Sequence, residues 1–304
     1  MTQRIFLAFL IALLVRLAPA WAEGSFRTTP PLPPIEYTER YNVQGFWWGS
    51  PANSEPGWGL GISHQGSTLV ETWLSYDTDG SPMWHVAPNV VWDKYSATYR
   101  GRLYRTTGPA FSDVQWSPAK VKMTDVGEVV LWFGADSQGS FQYTLSGGGL
   151  TATKPITRYV FESRAASCIW WNEAPYHEPN YTDTWWHAPY AAAGGWGLNV
   201  AHQDDVVFAT WFTFKADGTS EWIAMPAGIR TDRATYSGTL YRMHGPPLRP
   251  GKWDASKVTS TPVGTATLYF QGADYGTFTY TLDGVTQSKA IGRYYLVWPP
   301  TDCE

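Results

Sequence analysis

The sequence predicts an all-β protein built from two tandem antiparallel modules, and three observations support this. A long stretch of the chain occurs twice in similar form. The composition, with 18 Trp, 18 Tyr, 29 Gly and only 16% charged residues, is typical of strands and tight turns. Short apolar runs alternate with turn signals, and none of them has a helical period.

The repeat is clearest in its aromatic motifs. Trp47-Trp48 recurs as Trp185-Trp186, and the Gly-Trp-Gly-Leu motif at 57–60 recurs at 195–198. Further matches follow in the same order along both copies: His64-Gln65 with His202-Gln203, Thr72-Trp73 with Thr210-Trp211, Trp84 with Trp222, Leu103-Tyr-Arg105 with Leu240-Tyr-Arg242, and Lys154-x-Ile-x-Arg158 with Lys289-x-Ile-x-Arg293. The period is that of a domain, not of a solenoid repeat.

Each copy is predicted to contain about eight short strands joined by hairpin-like turns. In the first copy the turns include Gln65-Gly66 and Asp79-Gly80. The predicted strands lie near 44–49, 57–65, 68–77, 82–92, 97–106, 127–134, 139–146 and 153–161. Sequential antiparallel strands of this number favour an up-and-down β-barrel, with a β-sandwich as the alternative.

The N-terminus has the features of a secretory signal peptide. A basic start precedes the apolar run 5–14, and Ala20-Trp21-Ala22 is a small-x-small cleavage site. We therefore expect a periplasmic or secreted protein with no transmembrane segment after signal removal; a retained signal anchor is the alternative. The predicted organisation is signal peptide 1–22, Pro-rich leader 23–40, module 41–163, linker 164–180, module 181–298 and C-terminal tail 299–304.

The two cysteines occupy equivalent places after the two modules. Cys168 follows Arg158 by ten residues, and Cys303 follows Arg293 by ten. In an exported protein such a pair is most simply a disulfide between Cys168 and Cys303. Two separate thiols, each pairing with another chain, are the alternative.

The motif order Gly-Trp-Gly, His-Gln, Thr-Trp, Asp-Gly, Trp resembles a Trp/Gly-rich repeat of exported proteobacterial proteins. The resemblance extends over nearly all of 44–161 and 184–296. It implies export and a β-rich module, but no established activity. The first copy is closer to the pattern, because it keeps Gly66, Tyr76 and Pro82 where the second has Asp204, Phe214 and Ser220.

Strand alternation predicts which side chains face the barrel interiors. We assign Val70, Thr72, Leu74 and Tyr76 of the third strand to the interior, together with Phe141, Tyr143 and Leu145 of the seventh. Trp73 and Trp211 then lie on the opposite face, where an exposed indole would indicate binding. Most of the other repeated Trp residues are expected to fill cores.

Cations and histidines interrupt the apolar faces in both copies. If the Lys-x-Ile-x-Arg row points inward, each barrel would offer a cationic end to an anionic ligand with an apolar body; the alternative is that these side chains project into solvent. The candidate ligand-binding residues are Arg105, Lys154, Arg158, His64 and Trp73 in the first module, and Arg242, Lys289, Arg293, His202 and Trp211 in the second.

The sequence favours binding over catalysis. No carboxylate pair recurs in both copies, since Glu71 becomes Ala209 and Glu128 becomes Thr265. No nucleophile elbow, zinc-protease motif or phosphate loop is present, and we expect no cofactor and no metal. The net charge of −4 offers no basic surface for nucleic acid.

We expect an exported binding protein in which each barrel holds a small apolar or amphipathic ligand. The alternative is an envelope or surface protein that binds a protein partner or a polysaccharide through its aromatic faces. An extracellular enzyme is the third hypothesis. The volume of the barrel interiors separates the first two, because solid barrels exclude an internal ligand.

Overall fold

The chain forms two closed eight-stranded antiparallel β-barrels in a computed structural model that describes residues 41–113, 116–147, 149–170, 178–187, 195–247, 253–296 and 301–304. Each barrel has its strands in sequence order, so the predicted all-β class and the up-and-down barrel are confirmed. The predicted signal peptide and leader lie outside the described residues. In the described part, no helix is long and apolar enough to cross a membrane.

Barrel 1 consists of β1 (Gly45–Gly49), β2 (Gly59–Gln65), β3 (Thr68–Tyr76), β4 (Pro82–Asp93), β5 (Thr98–Thr107), β6 (Lys122–Phe133), β7 (Gln138–Leu145) and β8 (Leu150–Arg158). β8 pairs with β1 and closes the barrel. The strands agree closely with those predicted, except that β6 begins at Lys122. A register shift opposite Leu103 and Tyr104 lets β6 continue through this irregular stretch.

After the short β9 (Cys168–Trp170), barrel 2 repeats the plan. Its strands are β10 (Asp183–His187), β11 (Gly197–Gln203), β12 (Val206–Phe214), β13 (Ser220–Asp232), β14 (Thr235–His244), β15 (Thr259–Phe270), β16 (Tyr275–Leu282) and β17 (Val285–Arg293). A last strand, β18 (Thr301–Cys303), pairs with β9 in a separate two-stranded sheet. Cys168 and Cys303 are directly opposite in that sheet and form the predicted disulfide.

The inward face of β3 was predicted wrongly. Trp73 pairs with Leu60 of β2, and its ring contacts Phe141 and Tyr143 inside the barrel. Tyr76 instead contacts Trp222 of barrel 2. The two faces cannot be told apart by hydrophobicity because both are buried, one in the barrel and the other against its neighbour.

The same correction applies to the whole alternating set. Val70, Thr72, Leu74 and Tyr76 are on the outer face of β3, while Leu69, Glu71, Trp73 and Ser75 point into barrel 1. On β12, Trp211 contacts Phe278 inside barrel 2, whereas Phe208 contacts Phe46 of barrel 1. For β7 the prediction holds for Phe141 and Tyr143, which are fully buried beside Trp73.

The barrel interiors are filled with large side chains. In barrel 2 the free space among Leu198, Trp211, Leu240, Phe278 and their neighbours is about 10 Å³. This is room for about one water molecule at most. In barrel 1, Leu103, Leu131, Phe141 and Tyr143 have no exposed surface at all.

The two barrels pack against each other through reciprocal contacts. The indole of Trp84 donates to the carbonyl of Thr213 (2.9 Å), and that of Trp222 donates to the carbonyl of Ser75 (2.8 Å). These residues occupy equivalent positions in the two copies. The repeated surfaces therefore meet around a local twofold relation, as in an isologous dimer.

The repeated His-Gln motif contributes a second reciprocal pair. The side chain of Gln65 donates to the carbonyl of Tyr294 (2.6 Å), and that of Gln203 donates to the carbonyl of Tyr159 (3.0 Å). Each glutamine thus holds the chain at the end of the other barrel's last strand. The motif is explained by inter-barrel packing.

Candidate functional site

The Lys-x-Ile-x-Arg row faces the interior of barrel 1. Lys154 is opposite the inward Phe141 on the neighbouring strand. Its ammonium lies 2.8 Å from the carboxylate of Glu55, and the Lys154 side chain is only 7% exposed. Lys154 is therefore neutralised by a protein carboxylate.

Arg158 lies at the opposite end of the same row. Its guanidinium stacks over Trp47, 5.1 Å from the ring centroid, and donates to the carbonyls of Asn42 (2.6 Å) and Gln44 (2.8 Å). Burial lowers the pKa of Arg158 to about 10, so the group is still protonated at neutral pH.

The equivalent row of barrel 2 is less buried at its lysine end. Lys289 lies over the ring of Trp196 at 5.5 Å, and burial lowers its pKa. Arg293 is buried, stacks over Trp185 and lies 3.5 Å from the carboxylate of Asp183. Arg293 therefore has a buried counter-ion, in contrast with Arg158.

The arginines of the fifth strand in each barrel are also paired. Arg105 contacts the carboxylate of Asp77 at 2.5 Å. Arg242 contacts Glu221 and Asp283, both at 2.7 Å. Four of the six predicted cations, Lys154, Arg293, Arg105 and Arg242, thus have carboxylate partners, and the structure does not gather the six into one cavity.

His64 and His202 each form a hydrogen bond with the backbone just before the first strand of their barrel. In both, Nδ1 accepts a backbone N–H, from Val43 and Tyr181 respectively, and Nε2 contacts the hydroxyl of Tyr99 or Tyr236. Burial lowers the pKa to about 3 for His64 and to about 4 for His202. Both imidazoles are therefore neutral near pH 7.

Trp73 and Trp211 are interior residues. They are 1% and 2% exposed, and Trp73 stacks on His85 with 4.9 Å between ring centroids. The exposed indole that would have indicated binding at these positions is absent. The two residues instead fill the cores of their barrels.

An apolar groove opens where the two barrels meet, and we call it the inter-barrel groove. Its cavity volume is about 200 Å³. β1, β2 and β3 of barrel 1 form one wall, and β12, β13 and β14 of barrel 2 form the other. Its lining residues are Phe46, Trp47, Trp48, Pro56, Gly57, Trp58, Gly59, Leu74, Tyr159, Phe208, Thr210, Trp222, Ala224, Pro226 and Met243.

A continuous row of aromatic rings forms part of the groove. Trp48 contacts Tyr159 (4.8 Å between ring centroids), Tyr159 contacts Phe208 (5.0 Å), and Phe208 contacts Phe46 (4.7 Å). The row crosses from barrel 1 to barrel 2 at Phe208. All three contacts are edge-to-face, a favourable arrangement for aromatic pairs.

The double-Trp motif explains how β1 supplies this row. Trp47 points inward and contacts Phe133, while its neighbour Trp48 points outward into the groove. The indole nitrogen of Trp48 is buried and has no hydrogen-bond partner in the described structure. This N–H is shielded from the open space of the groove, so Trp48 offers its aromatic ring there.

The twofold-related side of the interface lacks the same aromatic row. Trp186 and Tyr294 keep the first contact at 4.5 Å. The positions of Phe46, Phe208 and Met243, however, are occupied there by Thr184, Val70 and Thr106. The groove described above therefore arises from residues in which the two copies differ.

Sequence reasoning missed this site because it looked for features that both copies share. The signal that could have found it is the set of substitutions to larger apolar residues: Thr184 against Phe46, Val70 against Phe208, Thr106 against Met243. These positions are distant along the chain. Only the packing of one barrel on the other brings them together.

The described residues hold no cluster of three or more His, Cys, Asp or Glu side chains that could bind a metal ion. The inter-barrel groove itself is lined by no titratable carboxylate, histidine or cysteine. Its chemistry is that of apolar and aromatic contact. Comparison of the chain with protein-family models, curated proteins and solved structures gives no match.

Proposed function

We propose that this chain is an exported, non-catalytic binding protein that holds a small apolar ligand in the inter-barrel groove. The observation that carries the proposal is the groove itself, an aromatic-lined space of about 200 Å³. An apolar cavity of about 150 Å³ is large enough to bind benzene. The groove therefore suits a group of about one aromatic ring.

Two further features support this proposal over a ligand inside each barrel, and a third supports export. The interior of barrel 2 has about 10 Å³ of free space. Four of the six cations expected to receive an anionic head group already have carboxylate partners. The Cys168–Cys303 disulfide suits the oxidising compartment of an exported protein.

The ligand class follows from the lining. Trp48, Tyr159 and Trp222 line the groove with aromatic rings, and no Asp, Glu, His or Cys is among its lining residues. We expect a monocyclic aromatic compound, or a larger molecule that inserts one such ring. A ligand of seven or eight heavy atoms would bind with a Kd on the order of 0.1–1 mM.

Isothermal titration calorimetry of the mature protein with toluene and with benzyl alcohol tests this proposal. The control variant Met123→Leu changes an exposed side chain on β6. Ala224→Leu adds bulk to a residue that lines the groove. We expect saturable binding by the parent and by Met123→Leu, with at least tenfold weaker binding by Ala224→Leu.

Equal binding by Ala224→Leu and the parent would place the ligand elsewhere. No binding of either compound to a folded parent would refute a small-ligand site. That result would favour the alternative in which the aromatic surfaces meet a protein or polysaccharide partner.

A further inference from the structure

Two equivalent arginines lie at equivalent ends of the two barrels, but in the described structure only one of them has a carboxylate counter-ion. Arg293 of barrel 2 is paired with the buried carboxylate of Asp183. The position equivalent to Asp183 in barrel 1 is Gly45. A β-carbon built on Gly45 would lie 3.5 Å from a guanidinium nitrogen of Arg158, so the residue that could neutralise Arg158 is missing.

The hydrogen bonds of Arg158 do not replace this carboxylate. In the described structure its guanidinium donates to two backbone carbonyls, those of Asn42 and Gln44. A carbonyl offers a partial charge only, whereas a buried cation without a counter-ion keeps most of its desolvation cost. A guanidinium has five N–H groups, so donors remain for a ligand.

Arg158 also lines a cleft that is open to solvent at this end of barrel 1. The cleft has a cavity volume of about 520 Å³ and extends to the segment that leads into Cys168. Arg164 lines it as well, and Ser137 and Ser167 bring hydroxyl groups. None of the residues that line the cleft is Asp or Glu.

Several carboxylates lie near this lining but outside it, including that of Glu304, whose backbone exchanges two hydrogen bonds with Ser167. Asp136 and Glu162 are neighbours of lining residues along the chain, and Asp204 accepts a hydrogen bond from the hydroxyl of Ser163. Asp204 also interacts with the charge of Arg164. The lining itself therefore carries two positive charges and no negative one.

We propose that this cleft binds a small oxyanion, a carboxylate, phosphate or sulfate group, with Arg158 as its principal ligand and Arg164 as a second cation. Arg158 is positioned in advance by Trp47 and the two carbonyls, which lowers the entropic cost of binding. Among the described residues, the equivalent Arg293 of barrel 2 is already paired with the carboxylate of Asp183. The site shares Trp47 with the inter-barrel groove but is otherwise lined by different residues, and it does not depend on the proposed function.

Calorimetric titration of the mature chain with acetate, inorganic phosphate and sulfate, at constant ionic strength in chloride, tests this proposal. Comparison of the three titrations shows which oxyanion geometry the cleft prefers. The variants are Arg158→Gln, Arg164→Gln and the matched control Arg102→Gln, whose exposed side chain pairs with Asp125 elsewhere on barrel 1.

We expect saturable binding of at least one oxyanion by the parent and by Arg102→Gln. Arg158→Gln should weaken it by about tenfold or more, as expected for the loss of a charge-assisted hydrogen bond. Arg164→Gln should weaken it by about threefold to tenfold. If Arg158→Gln does not fold, Arg164→Gln and Arg158→Lys still decide, because the lysine keeps the charge but loses the planar fork.

The proposal is overturned if no oxyanion saturates a folded parent, or if Arg164→Gln and the Arg158 variant that folds bind as tightly as Arg102→Gln. The groove variant Ala224→Leu should bind the oxyanion as the parent does. A failure to bind toluene would therefore count against the groove proposal alone, and a failure to bind an oxyanion would count against the cleft proposal alone.

Discussion

Barrel 1 and barrel 2 have the same strand order, are each followed by a cysteine at an equivalent position, and pack reciprocally. They differ at the places that could bind a ligand. At the equivalent barrel ends, Arg293 has Asp183 as counter-ion while Arg158 faces Gly45. Along the interface, the aromatic row of the groove is complete on one side only. The residues that both copies share form the barrels and the interface between them. The residues that differ between the copies give each barrel its own chemistry.

The barrel interiors differ as well. Glu71 of barrel 1 is fully buried and neither carboxylate oxygen has a hydrogen-bond partner in the described structure. Burial raises the pKa of Glu71 to about 8. The equivalent residue in barrel 2 is Ala209, which is also buried but has nothing to titrate.

The largest expected effects concern the interface between the barrels, to which both copies contribute equivalent residues. Trp84→Ala and Trp222→Ala each remove a buried indole and its hydrogen bond to the opposite barrel. Each should lower the free energy of unfolding by about 3–5 kcal/mol, which urea denaturation will measure. Because the contacts are reciprocal, the two losses should agree closely; a large loss for one variant and none for the other would show that the interface is not shared equally.

A substitution at Glu71 sharpens the contrast between the interiors. Between pH 4.5, the ordinary pKa, and about 8, the unfolded chain loses a proton that the folded chain keeps. The free energy of unfolding therefore falls as pH rises through this window. Glu71→Gln should remove this dependence and stabilise the protein at pH 9 by a few kcal/mol.

The matched control for that experiment is Glu128→Gln on the exposed face of β6. Urea denaturation at pH 5 and pH 9 should show no gain for this control. For Glu71→Gln, the gain in the free energy of unfolding over the parent should be larger at pH 9 than at pH 5. An equal gain at both pH values would contradict the conclusion that Glu71 is buried as a neutral carboxyl.

His64 and His202 provide a smaller effect of opposite sign. As pH falls below 6.5 the unfolded chain gains protons that the buried imidazoles do not take up, because their pKa values are lowered to about 3 and about 4. The free energy of unfolding should therefore fall with acidification, by about 1–3 kcal/mol for each histidine by pH 4. NMR titration of the two imidazoles checks this, and an apparent pKa near 6.5 for either would contradict it.

The smallest effect is expected at a surface feature that the barrels do not share. Arg102 and Asp125 form an exposed ion pair at 2.5 Å, where barrel 2 has Thr239 and Pro262. Arg102→Gln should change the free energy of unfolding by less than about 1 kcal/mol, and the change should shrink in high salt. A change of several kcal/mol in thermal or urea unfolding would contradict this.

Much of the frame could be predicted from the sequence, since duplication and turn signals are local. The strand positions of barrel 1, the inward Phe141 and Tyr143, and the Cys168–Cys303 disulfide were all predicted and are observed. The inward face of β3 could not be predicted. Alternation identifies an inner face only when the other side meets water, and here the outer face meets barrel 2.

The candidate sites were harder to predict than the fold. Lys154 and Arg158 were predicted to form a cationic cluster only if their row pointed inward, with projection into solvent as the alternative. The row does point inward, but it crosses the barrel and puts the two cations at opposite ends, beside Glu55 and Trp47. The groove depends on Phe46 and Phe208, which belong to different copies. No spacing within one copy encodes a contact between copies.

Apolar ligands are expected to enter between the barrels and not inside them. Crystals of the mature protein under xenon pressure test this directly, since xenon occupies empty apolar cavities. We expect an ordered xenon site bordered by Trp48, Tyr159 and Trp222. Xenon inside either barrel, with none between the barrels, would contradict it.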